Sequence, residues 1–347
     1  MRAQLPQSPA DTIINLLHQA AMSQAAYVAA ELGIADYLSN APQNAHALAK
    51  ATGAHERSLH RLLRALVSTG LCIEQDDGCF ALTPAGALMH STADESLHSW
   101  LLWFGRNQWA IWGHLLDTVR TGESARKRTT GNDGFELLEN VSTKAPVFNM
   151  AMVQQTRLIG NEVVRAFDFA EKKTIVDVGG GQGALLEVIL NANARLHGVL
   201  MDRPHAITGA RQRFNEAGLL DRCDFVTGDF FAAIPAGAGV YLLKNVIHDW
   251  DDERALHILR NCREAMASDG TLLLIERIRP TRIDASPAHR AITYIDLTMM
   301  LGPGGQERTE AEFRALLQQS GLMLASIRPM AMGYVILEAA VDPIPQR

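Results

Sequence analysis

A histidine and two glutamates occupy positions that could carry acid–base chemistry. His248 lies in LLKNVIHDWDDE after a short apolar run, Glu276 ends the run TLLLIE, and Glu307 lies in the glycine-rich loop GPGGQERTEAEF. Ligands of a parallel α/β sheet bind at the carboxyl ends of its strands, so we expect the three side chains to meet there. Two carboxylates beside one imidazole would fix its tautomer and stabilise its protonated form, which predicts a general base. The alternative is a bystander histidine on a turn where Asp249 or Asp251 caps the next helix.

A glycine loop in VDVGGGQGALL is the strongest local motif. An apolar run leads into the loop that contains Gly179 and Gly181, and a helical segment follows the loop. Glycines there let the backbone turn tightly and let a ligand approach the main chain and the helix N-terminus. Gly179, Gly181 and Ala184 also satisfy the dinucleotide fingerprint, so a nicotinamide or flavin cofactor is the alternative.

Three carboxylates near that loop favour a different ligand. Asp177 stands two residues before the first glycine, Asp202 ends the next apolar run, and Asp229 ends the third and is followed by Phe230 and Phe231. A carboxylate beside a pyrophosphate would be repelled, whereas it would attract a cation. We predict an adenosine ligand that carries a positive charge and no phosphates, which fits S-adenosylmethionine (SAM).

The second half of the chain alternates short apolar runs with helical segments. This pattern predicts an α/β fold with a doubly wound, seven-stranded, mostly parallel sheet. The last two strands are separated by a short Pro/Gly turn and could pair as a hairpin. The predicted strands cover residues 174–178, 196–202, 223–229, 239–245, 271–276, 323–328 and 334–338.

The first half of the chain is predicted to be mainly α-helical. A long helix ends near Gly33, and two helical segments then precede an alternating segment with an Asp-Asp-Gly turn, which is the order of a winged helix. Residues 40–90 carry four basic and four acidic side chains. Phosphate binding needs a basic surplus, so DNA binding is disfavoured. An aromatic zone follows at residues 97–119, in which Trp103 and Phe104 could line a pocket for a flat ligand. Residues 121–134 are predicted to form a polar loop suited to a lid.

Composition restricts the class of protein. The 347 residues are 47% hydrophobic and 20% charged, with a net charge of −6, which excludes a mainly disordered chain and a dedicated nucleic-acid binder. The four cysteines form no zinc-ligand pattern, so we expect free thiols and no metal. Residues 12–30 are uncharged but carry polar side chains that a lipid-facing helix would not, which predicts a soluble helix packed against another chain. We therefore expect a cytoplasmic protein that does not contact membranes.

The chain resembles the two-domain, SAM-dependent small-molecule O-methyltransferases typified by plant caffeate and flavonoid enzymes and by bacterial relatives in antibiotic pathways. The resemblance covers nearly the whole chain and rests on six motifs in order: VDVGGGQG, MDRPH, GDFF, LLKNVIHDWDD, LLLIER and GPGGQERTEAEF. It implies a dimerisation and acceptor-pocket domain over residues 1–165 and a SAM-binding domain over residues 166–347. Each protomer of a homodimer would contribute to its partner's acceptor pocket.

The same resemblance implies roles for individual residues. His248 would be the general base, flanked by Glu276 and Glu307. Acceptor-lining positions would be Phe148, Met152, Asp296 and Met299 or Met300. SAM contacts would come from Gly179, Gly181, Asp202, Asp229, Phe230 and Lys244. The chain departs from the plant pattern at Arg203, where leucine is usual, and at Gly302, where plant enzymes carry larger polar side chains.

The predicted reaction is an in-line methyl transfer from SAM to a phenolic hydroxyl of a secondary metabolite. With ordinary pKa values near 6.5 for histidine and about 10 for a phenol, complete proton transfer to His248 would cost about 5 kcal/mol. The two glutamates, or an unusually acidic phenol, must lower that cost. Methylation of nitrogen, or a SAM-binding hydroxylase or decarboxylase, is the alternative within the family; a winged-helix DNA-binding regulator and a dehydrogenase are the alternatives outside it.

Overall fold

The computed structural model describes residues 8–132, 135 and 144–342. The chain divides into two compact units, residues 1–110 and residues 111–347. The boundary predicted after residue 165 coincides with the end of a long helix, Lys144–Ala166, whereas the division by compactness falls earlier. The functional division at residue 165 therefore stays a prediction.

The first unit begins with helix α1, Pro9–Glu31. Ser8 caps it by accepting from the N–H of Asp11, whose carboxylate accepts from the N–H of Ser8 in return. The helix ends before Gly33, whose φ of 65° few other residues adopt. Several apolar side chains of α1 are exposed, among them Ile13, Leu16 and Leu17 at 65%, 56% and 67%. Among the described residues, no helix is both long enough and apolar enough to cross a bilayer.

The predicted order of two helices and a hairpin follows α1. Helix α2 spans Ile34–Leu38, α3 spans Ala45–Thr52 and α4 spans Glu56–Ser68. The strands β1 (Gln43–Asn44), β2 (Cys72–Glu74) and β3 (Cys79–Leu82) form a small sheet in the order β1–β3–β2, and Leu48, Leu63 and Phe80 fill the core between it and the helices. The short helix α5 (Pro84–Ala87) follows the sheet. The predicted aromatic zone begins with α6 (His98–Trp103), a π-helical turn (Phe104–Gln108) and α7 (Trp109–Trp112).

The second unit alternates helices with strands. Its helices are α8 (Leu115–Thr121), α9 (Ala125–Thr130), α10 (Lys144–Ala166), α11 (Ala184–Ala192), α12 (Pro204–Glu216), α13 (Asp252–Ala265), α14 (Pro287–Leu301) and α15 (Glu310–Gln319). Its strands are β4 (Thr174–Val178), β5 (His197–Asp202), β6 (Cys223–Thr227), β7 (Val240–Lys244), β8 (Thr271–Arg277), β9 (Leu322–Pro329) and β10 (Tyr334–Val341). Short 3₁₀ turns lie at Leu220–Arg222, Ile247–Asp249 and Ala331–Gly333.

The seven strands form one sheet in the order β6–β5–β4–β7–β8–β10–β9. The first five are parallel, whereas β10 pairs antiparallel with both β8 and β9. This confirms the doubly wound, mostly parallel sheet and the terminal hairpin. Successive residues of β7 are buried on opposite faces, with Val240 and Leu242 in one core and Tyr241 and Leu243 in the other. Chain order reverses between β4 and β7, which is where such sheets open a ligand crevice at their carboxyl edge.

The predicted polar loop at residues 121–134 is wrong in its middle, because α9 lies there. Ser124 Oγ accepts from the N–H of Lys127 at 3.1 Å and caps this helix, and Gly131 ends it with a φ of 85°. A serine cap and a terminal glycine are helix signals that the polar composition obscures. Residues 133 and 134 lie outside the described part of the chain.

Candidate active site

The histidine turn lies at the carboxyl end of β7. Asn245 leaves the strand with a φ of 54°, and the 3₁₀ turn Ile247–Asp249 follows. Asp251 caps α13, since its Oδ1 accepts from the N–H of Arg254 at 2.9 Å. The capping role considered for Asp249 thus belongs to Asp251. His248 itself is 6% exposed.

The structure brings the three predicted acid–base residues together. His248 Nδ1 donates to Glu307 Oε1 at 2.8 Å, while Glu276 Oε2 lies 3.7 Å from the same nitrogen. Glu276 Oε1 accepts from the N–H groups of Val246 at 3.1 Å and Ile247 at 2.9 Å. The two glutamates therefore have different roles: Glu307 binds the imidazole, and Glu276 binds main-chain N–H groups of the turn that carries it.

These carboxylates change the basicity of the imidazole. Burial lowers the pKa of His248, but the negative charges of Glu276, Glu307 and Asp249 outweigh it and raise the pKa to about 9. Asp249 Oδ1 lies 3.6 Å from Nε2 of the imidazole. Burial raises the pKa of Glu276 to about 7 and that of Asp249 to about 6, against the opposing charge of His248. The imidazolium form is thus strongly favoured in this site.

The loop that carries Glu307 is tied to the histidine turn and to α14. The N–H of Glu307 donates to Asp296 Oδ1 at 2.8 Å, and the N–H of Gln306 donates to the carbonyl of His248 at 2.9 Å. Burial raises the pKa of Asp296. Asp296, predicted to face the acceptor, therefore also supports the partner of the imidazole.

The glycine loop between β4 and α11 has the shape of a ligand cradle. Gly179, Gly181 and Gly183 have φ values of 68°, 61° and 71°, and a Cβ on Gly181 would meet no atom within 4 Å. A Cβ on Gly180 would instead lie 2.4 Å from the carboxyl of Asp177, so the loop passes tightly over that side chain. Glycine is required at these positions both by conformation and by close approach.

Asp202 and Asp229 border this loop. Asp202 Oδ2 accepts from the N–H of Gly181 at 2.6 Å, and Oδ1 accepts from the N–H of Arg203 at 2.6 Å. Asp229 Oδ1 accepts from the N–H of Phe231 at 2.9 Å, and Arg203 Nη1 lies 3.4 Å from Asp229 Oδ2. Arg203, at which the chain departs from the plant pattern, therefore connects the two carboxylates Asp202 and Asp229 that are predicted to contact SAM.

Behind the loop lie two charged groups, the buried Asp177 and the partly buried Lys244. Among the described residues, Asp177 Oδ2 has no hydrogen-bond partner, and burial with the nearby charge of Asp202 raises the pKa of Asp177 to about 7. Burial and the charge of Arg277 lower the pKa of Lys244 to about 8. An unpaired carboxylate oxygen beside the cradle fits a cationic cofactor such as SAM better than the pyrophosphate of a dinucleotide.

Aromatic rings line the region between the loop and the histidine turn. A Cβ on Gly179 would lie 3.4 Å from Phe230, whose ring centroid is 5.0 Å from that of Phe231. Trp250 packs edge-on against Phe231 at 4.9 Å between ring centroids, and its ring lies 6.2 Å from that of Phe135. Sequence reasoning did not identify Phe135, which lies in no recognised motif, or the packing of Trp250, although Trp250 is part of LLKNVIHDWDD.

The predicted acceptor-lining residues fall into two groups. Phe148 and Met152 lie on α10 and Asp296, Met299 and Met300 on α14, and all five are partly buried in the second unit. Phe148 is 5.9 Å from Phe135 between ring centroids, which links α10 to the aromatic cluster. Trp103, which is 5% exposed, and Phe104 lie in the first unit. Contact of any of these side chains with an acceptor stays a prediction.

Two further features were missed from the sequence. Arg308 is fully buried and donates to main-chain carbonyls of the histidine turn. Tyr294 stacks on Trp112 with 5.4 Å between ring centroids and 2° between ring planes. The position of Arg308 directly after Glu307 was the available signal. In the described residues, no group of three or more His, Cys, Asp or Glu side chains is arranged to hold a metal ion.

Comparison with known proteins identifies two family models in this chain. Residues 112–323 match the O-methyltransferase domain, and residues 14–92 match the O-methyltransferase dimerisation domain.

Individual relatives agree with these matches. The phenazine O-methyltransferase of Lysobacter antibioticus is 40% identical over 92% of this chain and 92% of its own length. The mitomycin biosynthesis 6-O-methyltransferase of Streptomyces lavendulae is 37% identical over 94% of this chain and 92% of its own. The crystal structure of an O-methyltransferase from neocarzinostatin biosynthesis, in complex with SAM and 2-hydroxy-5-methyl naphthoic acid, superposes with a TM-score of 0.78 at 34% identity, covering 92% of this chain and 96% of that one.

Proposed function

Because this chain belongs to the family of SAM-dependent O-methyltransferases, we propose that it methylates a hydroxyl of an aromatic secondary metabolite with His248 as the general base. The observation that carries this proposal is the buried hydrogen bond of 2.8 Å between His248 Nδ1 and Glu307. It leaves Nε2 as the nitrogen that can accept a proton. When bound, SAM supplies a methyl carbon on a positively charged sulfur, and its displacement leaves S-adenosylhomocysteine.

The environment of His248 supports proton removal from a phenol. With a pKa of about 9 for His248 and about 10 for an ordinary phenol, complete transfer costs only about 1.4 kcal/mol. This is far less than the cost with an unperturbed histidine. The same pKa leaves only about 1% of the imidazole neutral at pH 7, so activity should rise with pH until the base is deprotonated.

Seven residues around the glycine loop are proposed to hold SAM. The carboxylate of Asp202 would accept from the ribose hydroxyls, and Asp229 with Phe230 would contact the adenine. The open space at Gly181 and the tight turn at Gly179 would admit the cofactor against the main chain. Asp177 and Lys244 would be the charged side chains next to the cofactor, and the Asp177 oxygen without a hydrogen-bond partner among the described residues would attract the positive charge of SAM.

The acceptor is proposed to lie against aromatic and methionine side chains. The partly buried residues on α10 and α14 support this assignment, as does the ring of Phe135 between Phe148 and Trp250. A flat aromatic acceptor would suit such walls, because aromatic side chains stack favourably on planar rings. Within the second unit, the residues proposed to line the acceptor are Phe148, Met152, Asp296, Met299 and Met300; for Trp103 and Phe104 of the first unit, acceptor contact stays a prediction from the sequence.

We also propose that the enzyme is a homodimer through its first unit, whose helix–helix–hairpin part is winged-helix-like, and that it acts in the cytoplasm. The match to a dimerisation domain and the exposed Ile13, Leu16 and Leu17 on α1 support the dimer. The four cysteines are free thiols, which suits a reducing compartment. Light scattering after gel filtration tests the dimer: a monomer at micromolar concentration would contradict it.

A direct assay tests the proposed reaction. The purified chain is incubated with SAM and a panel of phenols, aminophenols and hydroxylated heterocycles, and products are analysed by mass spectrometry together with S-adenosylhomocysteine. We expect O-methylated products; fragmentation that places the methyl on nitrogen, or a hydroxylated or decarboxylated product, would contradict the proposal.

A variant tests the base separately. His248→Gln should lower turnover by about 10² to 10⁴ while the SAM dissociation constant, measured by calorimetry, stays the same. The matched control is His197→Gln, an exposed histidine at the start of β5 that pairs with Asp224. Unchanged turnover in His248→Gln would remove His248 from the mechanism.

A further inference from the structure

The loop that carries Glu307 docks closely on the histidine turn. A Cβ on Gly305 would lie 2.1 Å from the carbonyl oxygen of His248, so the two backbones touch at this point. The N–H of Gln306 donates to the same carbonyl at 2.9 Å. The position of the imidazole therefore depends on how this loop is seated, as well as on β7.

Arg308 spans both ends of that turn. Its Nη1 donates to the carbonyl of Ile247 at 2.8 Å and its Nη2 to the carbonyl of Trp250 at 2.7 Å. Nε and Nη2 both donate to Asp252 Oδ1, at 2.9 and 2.8 Å. The side chain is 0% exposed. The buried guanidinium thus binds main-chain carbonyls on both sides of His248 and fixes the turn. A lysine ammonium could not make the same set of contacts, because the guanidinium donors form a rigid planar fork.

The main chain of Arg308 is fixed as firmly as its side chain. Its carbonyl accepts from the N–H of Arg279 at 2.8 Å, and Arg308 forms a parallel bridge with Ile278 just beyond β8. Glu307 and Arg308 thus extend from one anchored segment. The first residue holds the imidazole and the second holds the backbone that carries it.

We propose that Arg308 is a positioning residue for the methyl transfer, acting through His248. This inference rests on the proposed function, in which His248 is the base. A displacement of about 1 Å at a reacting group can reduce the rate on the order of 10²-fold. Loosening the turn would therefore reduce turnover even though Arg308 touches neither cofactor nor acceptor.

The test is a double-mutant cycle between Arg308→Lys and His248→Gln. In the wild-type background, Arg308→Lys should reduce kcat by about 10- to 100-fold with SAM affinity unchanged, because the charge stays but the fork is lost. In the His248→Gln background the same substitution should reduce kcat less than about threefold, since the histidine that Arg308 positions is already absent. The matched control is Arg314→Lys, on the exposed face of α15, where the arginine pairs with Glu310; it should change nothing.

The outcomes separate the two proposals. Equal losses in both backgrounds, or unchanged kcat in a folded Arg308→Lys, would overturn the positioning role alone. An active His248→Gln would overturn the proposed base. If Arg308→Lys does not fold, Asp252→Asn weakens the same guanidinium from its exposed end and enters the same cycle with the same expectations.

Discussion

Replacing Glu307 by glutamine tests whether the buried carboxylate sets the basicity of His248. The pKa of about 9 against an ordinary 6.5 corresponds to about 3 kcal/mol in favour of the imidazolium. Glu307 is the nearest of the three carboxylates, at 2.8 Å from Nδ1. Removing its charge should reduce the free energy that favours the imidazolium by about 1.4 kcal/mol, which lowers the pKa of His248 to about 8. Glutamine keeps the side-chain shape and an oxygen that can accept from Nδ1.

The consequence is a change in the shape of the pH profile. In the wild type, kcat/KM for the acceptor should rise with pH until about pH 9, because only neutral imidazole accepts a proton. In Glu307→Gln the rise should end about one pH unit lower, with a plateau at least about threefold lower, since a weaker base removes the proton less readily. With a plateau about threefold lower, the two profiles should cross near about pH 8.5: below that pH the variant is faster, by up to about threefold, because more of its imidazole is neutral, and above it the wild type is faster.

Two measurements check this expectation. Initial rates at saturating SAM are followed from pH 6 to pH 10 by mass spectrometry, and the pKa of His248 is measured directly by NMR of histidine-labelled protein, with His248→Gln to assign the resonance. Glu310→Gln, on the exposed first turn of α15, is the control and should leave both unchanged. A uniform loss of activity with no movement of the pKa would refute the idea that Glu307 controls the basicity of the imidazole.

Further predictions concern the cofactor and the contact between the two loops. Asp202→Ala should weaken SAM binding by about tenfold or more in calorimetry, because a charged hydrogen bond is lost. The control is Asp224→Ala, at an exposed position on the neighbouring β6, which should not change SAM binding. If Asp202→Ala binds SAM as tightly as the wild type, Asp202 does not bind the ribose. Gly305→Ala should lower the melting temperature and turnover together, since its Cβ would collide with the carbonyl of His248, while Gly239→Ala meets nothing closer than 3.7 Å and should resemble the wild type. A stable, active Gly305→Ala would show that the two loops can separate without loss of function.

The sheet could be predicted from the sequence because each strand is a short apolar run between turns. The strand Thr174–Val178 was predicted to the residue, and its neighbours to within one or two residues at either end. The doubly wound, mostly parallel character of the sheet followed from the alternation of helices and strands, whereas the order of the strands was not predicted. The short helix α9 was missed, since its cap at Ser124 is one polar residue among many.

The site could be predicted as a set of residues but not as a set of contacts. The carboxyl edge of the sheet brings His248, Glu276 and Glu307 together, as the motif positions indicated. That Glu276 binds the main-chain N–H groups of the turn depends on the path of the backbone after Asn245, which no motif reveals. Arg308 was overlooked for the same reason, because its partners are carbonyl oxygens and every residue has one.

The antiparallel strand β10 makes the sheet dependent on the order in which the chain is synthesised. Strand β9 is made before β10 but pairs only with β10, which lies between it and β8. Domains begin to fold on the ribosome from the N-terminal side. Until β10 has emerged, β9 therefore has no strand to pair with, and the sheet ends at β8. A premature stop codon that removed only β10 would leave two strand edges open, at β8 and β9, and would expose both to aggregation.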